Sequence, residues 1–178
     1  MVDVSAVPVV AGVHHLKLPV RDLAMSRGWY ASRLGYEFAV EFVKGGQLMG
    51  YGLRHPRGGP DLGLRLDPAR AAAAAGFDYF AIGVPDKAAI DELAERLTAL
   101  GEAHAGVQFA TVGWILPMLH DPDGHEVRFY TVQHHTMLDT GNVTTFHDPR
   151  ESAQQREQSH NIASEQATGT EHRGRAAT

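Results

Sequence analysis

Apolar and polar residues alternate over residues 15–20: Leu16, Leu18 and Val20 share one face, and His15 and Lys17 the other. Asp22 then stands where a helix N-cap belongs, and the spacing predicts a helix from there to Leu34, stopped by Gly35. Strand-like runs follow at 36–43, 48–54 and 62–66, with Gly- and Pro-rich turns between them. The succession then repeats. Tyr79-Phe80-Ala81-Ile82-Gly83-Val84-Pro85-Asp86 resembles His15-Leu16-Lys17-Leu18-Pro19-Val20-Arg21-Asp22 in pattern, and again an Asp opens a helix. Ile90, Leu93, Ala94, Leu97 and Leu100 lie at helical spacing before Gly101, and strand-like runs return at 107–111, 114–119 and 126–132.

Two βαβββ modules are therefore expected, at 11–67 and 77–135, in a single domain spanning 11–135. The alanine-rich connector 68–76 is expected to form a helical turn. Residues 1–10 read as an N-terminal tail, and 136–178 as a polar tail too poor in large apolar residues to offset its ordering entropy. His160 and His172 are scattered in that tail without ligand spacing.

Composition narrows the function classes. The chain has 178 residues, 43% of them hydrophobic, and a net charge of -5 with no basic stripe, so neither nucleic acid nor a membrane surface is an expected partner. It has no cysteine, which excludes disulfides, thiolate zinc sites and cysteine nucleophiles and fits a cytoplasmic location. The apolar stretch 7–13 lacks a basic leader and is too short to span a bilayer, so no targeting segment is read.

Two stretches carry a resemblance: HHLKLPVRDLAMSRGWYASRLGYEF from His14 and HDPDGHEVRFY from His120. Together with the tandem modules they make residues 11–134 resemble the vicinal oxygen chelate superfamily, which includes glyoxalase I, bleomycin- and fosfomycin-resistance proteins, extradiol dioxygenases and methylmalonyl-CoA epimerase. The resemblance implies an α+β fold with a half-open, eight-stranded cup, commonly in a homodimer. It also implies a divalent metal (Fe, Mn, Zn or Ni) held by His, Glu or Gln side chains. His15 matches the first ligand position, but Tyr79 and Arg128 stand at two others, and Arg65 aligns with a glutamate of glyoxalase-like members. Arginine has no lone pair to give a metal. The expectation is no cofactor, with His15 the one metal-ligand side chain if a metal binds; the divalent metal remains the alternative.

Alternation places His15, Lys17, Arg65, Tyr79, Glu126, Arg128 and Tyr130 on the cup face, and Trp114, Leu116, Met118 and His120 with them. Lys17, Arg65, Trp114, Met118, Arg128 and Tyr130 are the expected ligand-binding residues, with guanidinium groups suited to carboxylate, phosphate or enolate. His15, Tyr79 and Glu126 are the catalytic candidates, as bases or proton donor. Plainer readings stand beside these. Glu126 and Arg128 can pair with one another, His14 and His15 can be structural, and His120 and His125 can stabilise the turn. Asp121 and Asp123 belong to turn chemistry, Trp29 and Tyr30 to packing, and the adjacent His134 and His135 make a poor chelate. Three functions remain open: a metal-independent protein that binds a small anionic or aromatic metabolite, with isomerase- or lyase-type proton transfer; a sequestering protein without catalysis; and a metal-dependent glyoxalase- or dioxygenase-type enzyme using His15, Glu126 and His120.

Overall fold

The computed structural model describes residues 12–110 and 112–134; the N-terminal segment and the polar tail, with His135, His160 and His172, lie outside the described residues. The first module runs β1 (His15–Val20), α1 (Leu23–Leu34), β2 (Glu37–Lys44), β3 (Gln47–Arg54) and β4 (Asp61–Leu66). A connecting helix α2 (Pro68–Ala74) leads to β5 (Ala81–Val84), α3 (Lys87–Ala99), β6 (Gln108–Phe109), β7 (Trp114–Leu116) and β8 (Arg128–Thr131). Both modules share one topology: the sheets are ordered β1-β4-β3-β2 and β5-β8-β7-β6, with the outer pairs β1·β4 and β5·β8 parallel. The fold is α+β, two four-stranded mixed sheets related by the internal repeat.

Local chemistry sets the helix ends. The Asp22 carboxylate accepts from the backbone N–H of Ala24 and Met25, and the Asp86 carboxylate accepts from that of Ala89. Gly35 closes α1 at φ 76°, in the left-handed region that a side chain disfavours. Leu18, Val20, Leu62 and Leu64 from the first sheet, Ile82, Leu116 and Phe129 from the second, and Tyr30, Ile90 and Leu97 from the helices fill one continuous core. Burial of that apolar surface is the main stabilising term.

The turn at 120–125 does more than reverse the chain. Asp121 is buried and accepts from the Tyr30 hydroxyl (3.0 Å), from His125 Nδ1 (3.0 Å) and from the backbone N–H of Asp123 and His125. Asp123, also buried, accepts from the backbone N–H and Nε of Arg21 and from the Ser26 hydroxyl. Both carboxylates of the turn are thus hydrogen-bonded by residues that leave β1 or sit on α1. Arg96 of α3 adds a bond to the Ser32 carbonyl at the end of α1, and Arg33 pairs with Glu102.

Replacing Asp123 by Ala would leave the Arg21 and Ser26 donors without their acceptor. Because Arg21 is half exposed and water replaces part of the loss, the expected cost is about 2 kcal/mol, read as a lowered urea midpoint. An alkaline limit is expected too. Burial, reinforced by the Asp121 charge and hydrogen bond, pushes the Tyr30 phenol well above its ordinary value; burial and then Asp61 push Tyr36 up to about 12. Both keep their protons in the fold where the unfolded chain, ionising near pH 10, has lost them. Their stabilisation is complete below about pH 10 and is lost as pH rises toward 12. Urea midpoints should fall over that interval, and Tyr30→Phe should flatten the fall while costing about 1 kcal/mol at neutral pH.

Candidate functional site

The register of the first sheet arranges its outer face in rows across the strands. His15 lies opposite Asp61, Lys17 opposite Gly63, and Pro19 opposite Arg65. On the far side Gly63 faces Gly52, which faces Val40, and Arg65 faces Gly50, which faces Phe42. The centre of the face therefore carries no side chains. Above it lies a hollow of about 520 Å³ lined by His14, His15, Lys17, Val40, Phe42 and Arg65 among others. Its cationic side is on β1 and β4; its apolar side, with Met49, is on β2 and β3.

Charge compensation is uneven around this hollow. Arg54 binds Asp61 through two nitrogens, at 3.2 and 3.3 Å, closing one end with a neutral pair. Lys17 and Arg65 have no ion pair among the described residues, and both are exposed. His15 and His14 approach with their Nδ1 atoms 3.0 Å apart, a distance at which one proton is shared or donated between the rings.

The second sheet holds its charged residues differently. Arg128 is bound by Glu126 (2.8 Å) and by Asp78 (2.8 Å), so two carboxylates answer one guanidinium. Glu126 also accepts from the backbone N–H of Met118, whose φ of 66° is the one positive value at a non-glycine residue among those described. A side chain in that region costs about 1 kcal/mol, which the buried Glu126 bond offsets. Tyr79 packs edge-on against Phe77 and His125 and reaches the Ala74 carbonyl at 3.4 Å, at the end of α2. His125 is fully buried in the turn network, and its Nε2 has no hydrogen-bond partner. Tyr130 is half-buried opposite Ile115.

That last pairing corrects the expected register of β7. Ile115, not Trp114, lies opposite Tyr130, and Leu116 lies opposite Phe129 on the core side. Trp114 shares the core side, beneath the Lys87 ammonium of α3 (4.6 Å) and edge-on to Phe109. The turn through Pro117 and Met118 breaks the alternation before His120 and Glu126, which form an isolated bridge. The repeat also sets Arg65 in register with the second module. Lys17 and Ala81 are equivalent in the repeat, and their neighbours are Gly63 and Arg128. Gly63, not Arg65, is the counterpart of Arg128, and Arg65 is the counterpart of Tyr130.

The expected site residues thus separate into two groups. His15, Lys17 and Arg65 meet at the first-sheet hollow; Glu126, Arg128 and Tyr130 lie on the second sheet, with Met118 bound to Glu126. The sequence reading missed Gly52, Gly63, Val40 and Phe42. A glycine between Leu62 and Leu64 in an alternating strand was the available signal, since such a residue marks a place left open or closely approached. A metal of the kind the resemblance implies would find His15 beside Gly63, Tyr79 and Arg128 at the other positions, a set in which His15 is the one usual ligand. Among the described residues no three His, Asp or Glu side chains converge.

A family model for the Glyoxalase/Bleomycin resistance protein/Dioxygenase superfamily matches residues 12–129. Among solved structures, a glyoxylase/bleomycin resistance protein/dioxygenase domain from Frankia sp. EAN1pec is 25% identical, with a TM-score of 0.56 over 72% of this chain and 96% of that one. Lactoylglutathione lyase from Agrobacterium tumefaciens is 21% identical (TM-score 0.55, covering 69% and 95%). TnmS3, an antibiotic binding protein from Streptomyces sp. CB03234, is 17% identical (TM-score 0.55, covering 70% and 98%). No curated protein matches the chain. The two latter likenesses concern the fold alone, but the family model spans both modules, and the chain belongs to the glyoxalase/bleomycin resistance protein/dioxygenase superfamily.

Proposed function

We propose that the protein binds a small amphiphilic anion in the hollow of the first sheet, without the divalent metal common in the superfamily. The observation that carries this reading is the pair of uncompensated cations, Lys17 and Arg65, on one side of a hollow whose other side is apolar. An anionic group of the ligand meets the cations, with Arg65 able to bind it through two nitrogens. The apolar body rests on Val40, Phe42 and Met49. His15, at the edge of the same hollow, is the residue placed to move a proton if the ligand is also a substrate.

Sequestration without turnover is the second reading. Favouring it, Glu126 is committed to Met118 and Arg128, Tyr79 to Ala74, and Asp61, the carboxylate opposite His15, to Arg54. The antibiotic binding protein TnmS3 shares the fold. The metal-dependent alternative needs His15, Glu126 and His120 to converge, and Glu126 is held on the other sheet. We further propose a cytoplasmic homodimer. Every residue of the edge strand β2 is exposed, including Val40, Phe42 and Val43, and an apolar edge of this kind calls for cover. Among the described residues no helix is long and apolar enough to cross a membrane.

Elemental analysis of purified protein should find Fe, Mn, Zn and Ni well below one per chain, while aromatic carboxylates should raise the thermal midpoint. Arg65→Glu and Lys17→Glu should each weaken such binding by about tenfold or more, equivalent to about 1.4 kcal/mol. Stoichiometric metal lost on His15→Ala would sink the reading. Light scattering should give the mass of two chains, and Val43→Asp should shift it toward one.

A further inference from the structure

We propose that Gly63 is the specificity-determining residue of the hollow and that it selects a flat, fused-ring carboxylate over a puckered or branched one. This inference rests on the anion-binding reading above and narrows it to a ligand class.

The absent side chain is the starting point. A Cβ built on Gly52 would lie 2.7 Å from Val40 Cγ1 and 3.7 Å from the Phe42 ring, so those two side chains already lean across that position. A Cβ built on Gly63 would meet only His15 Cδ2 and the Leu16 carbonyl, both at 3.7 Å. The vacant volume therefore stands over Gly63. It is walled by Val40 and Phe42 on one side and by the His15 ring on the other, with Lys17 beside it and Arg65 one row along.

The floor of this space is the backbone of Gly63, which lines the hollow although its neighbours largely bury it. An aromatic body one ring thick can lie against the Gly63 peptide and present its edge to the His15 and Phe42 rings, the arrangement that ring quadrupoles favour. A saturated bicycle of the same outline is thicker and is held off the backbone. Lys17 is opposite Gly63 and Arg65 two residues along the same strand, which puts both cations at the rim of the bed, where a carboxylate on the ring edge reaches them. The repeat shows the alternative: at the equivalent place in the second module stands Arg128, held by Asp78 and Glu126.

Glycine is not required there by the backbone. Gly63 does not adopt the left-handed conformation, and its virtual Cβ makes ordinary contacts, so the strand accepts a side chain. Titration calorimetry with the full chain, using 2-naphthoate, its decahydro analogue and neutral 2-naphthamide, tests the inference. Naphthoate should bind at least about tenfold tighter than either of the others. Gly63→Val should abolish naphthoate binding while the thermal midpoint stays near that of the parent. Gly63→Ala should weaken binding by about tenfold and carries the same test alone if the valine variant unfolds. Equal affinity for the saturated acid, or parental affinity in the glycine variants, overturns this inference and leaves the anion reading standing. Equal affinity for the amide, or no binding by either acid, overturns both.

Discussion

The structure depends on two carboxylates buried in one turn. Asp121 and Asp123 belong to the second module by sequence, yet Tyr30, Ser26 and Arg21 of the first module supply donors to them. A buried carboxylate is tolerated only when its lone pairs are satisfied, and here backbone N–H groups, a phenol, an imidazole, a hydroxyl and a guanidinium do so. Because those donors sit at the end of β1 and along α1, the turn ties the chain entering β8 to the chain leaving β1. The parallel pairs β1·β4 and β5·β8 are positioned by the same few bonds. Core packing supplies more free energy, but it is less directional; the turn supplies registration.

Much of this fold is legible in the sequence because the repeat is written in independent signals. Asp22 and Asp86 cap helices, Gly35 closes one, and Leu62, Leu64 and Leu66 alternate in the strand β4. Each signal acts within a few residues, so it survives without tertiary knowledge. Periodicity failed at β7, where the expected run 114–119 is a strand only over Trp114–Leu116. Met118 takes a left-handed backbone that no local propensity predicts, held by the Glu126 carboxylate across the turn. Extending the alternation through that point put Trp114 on the wrong face. Asp121 and Asp123 read correctly as turn residues, but their buried partners nearly a hundred positions away leave no trace in local sequence.

The site was half legible for a related reason. Charged residues at strand positions are easy to list, and His15, Lys17 and Arg65 do meet at one hollow. What a list cannot give is compensation. Arg65 and Arg128 look alike in sequence, but Arg128 is answered by Asp78 and Glu126, whereas Arg65 has no ion pair among the described residues. Nor does a list of side chains register a missing one. Gly63 occupies the position that Arg128 fills in the other module, so the two sheets differ there in both side chain and charge. One scaffold position carries a locked cation in one copy and open space in the other.

That asymmetry resolves an electrostatic question the composition raises. A chain with a net charge of -5 is an unpromising partner for an anion if its charges act together. At physiological ionic strength they do not, because screening over about 8 Å reduces the contribution of distant carboxylates. Only the charges around the hollow count. There the Arg54–Asp61 pair is neutral within itself, and Lys17 and Arg65 remain in excess. On the second sheet the balance runs the other way, since Arg128 faces two carboxylates. On the proposed reading, the first sheet is the face that favours an anion. The proposed ligand would then lie with its charge toward β1 and β4 and its apolar body toward β2.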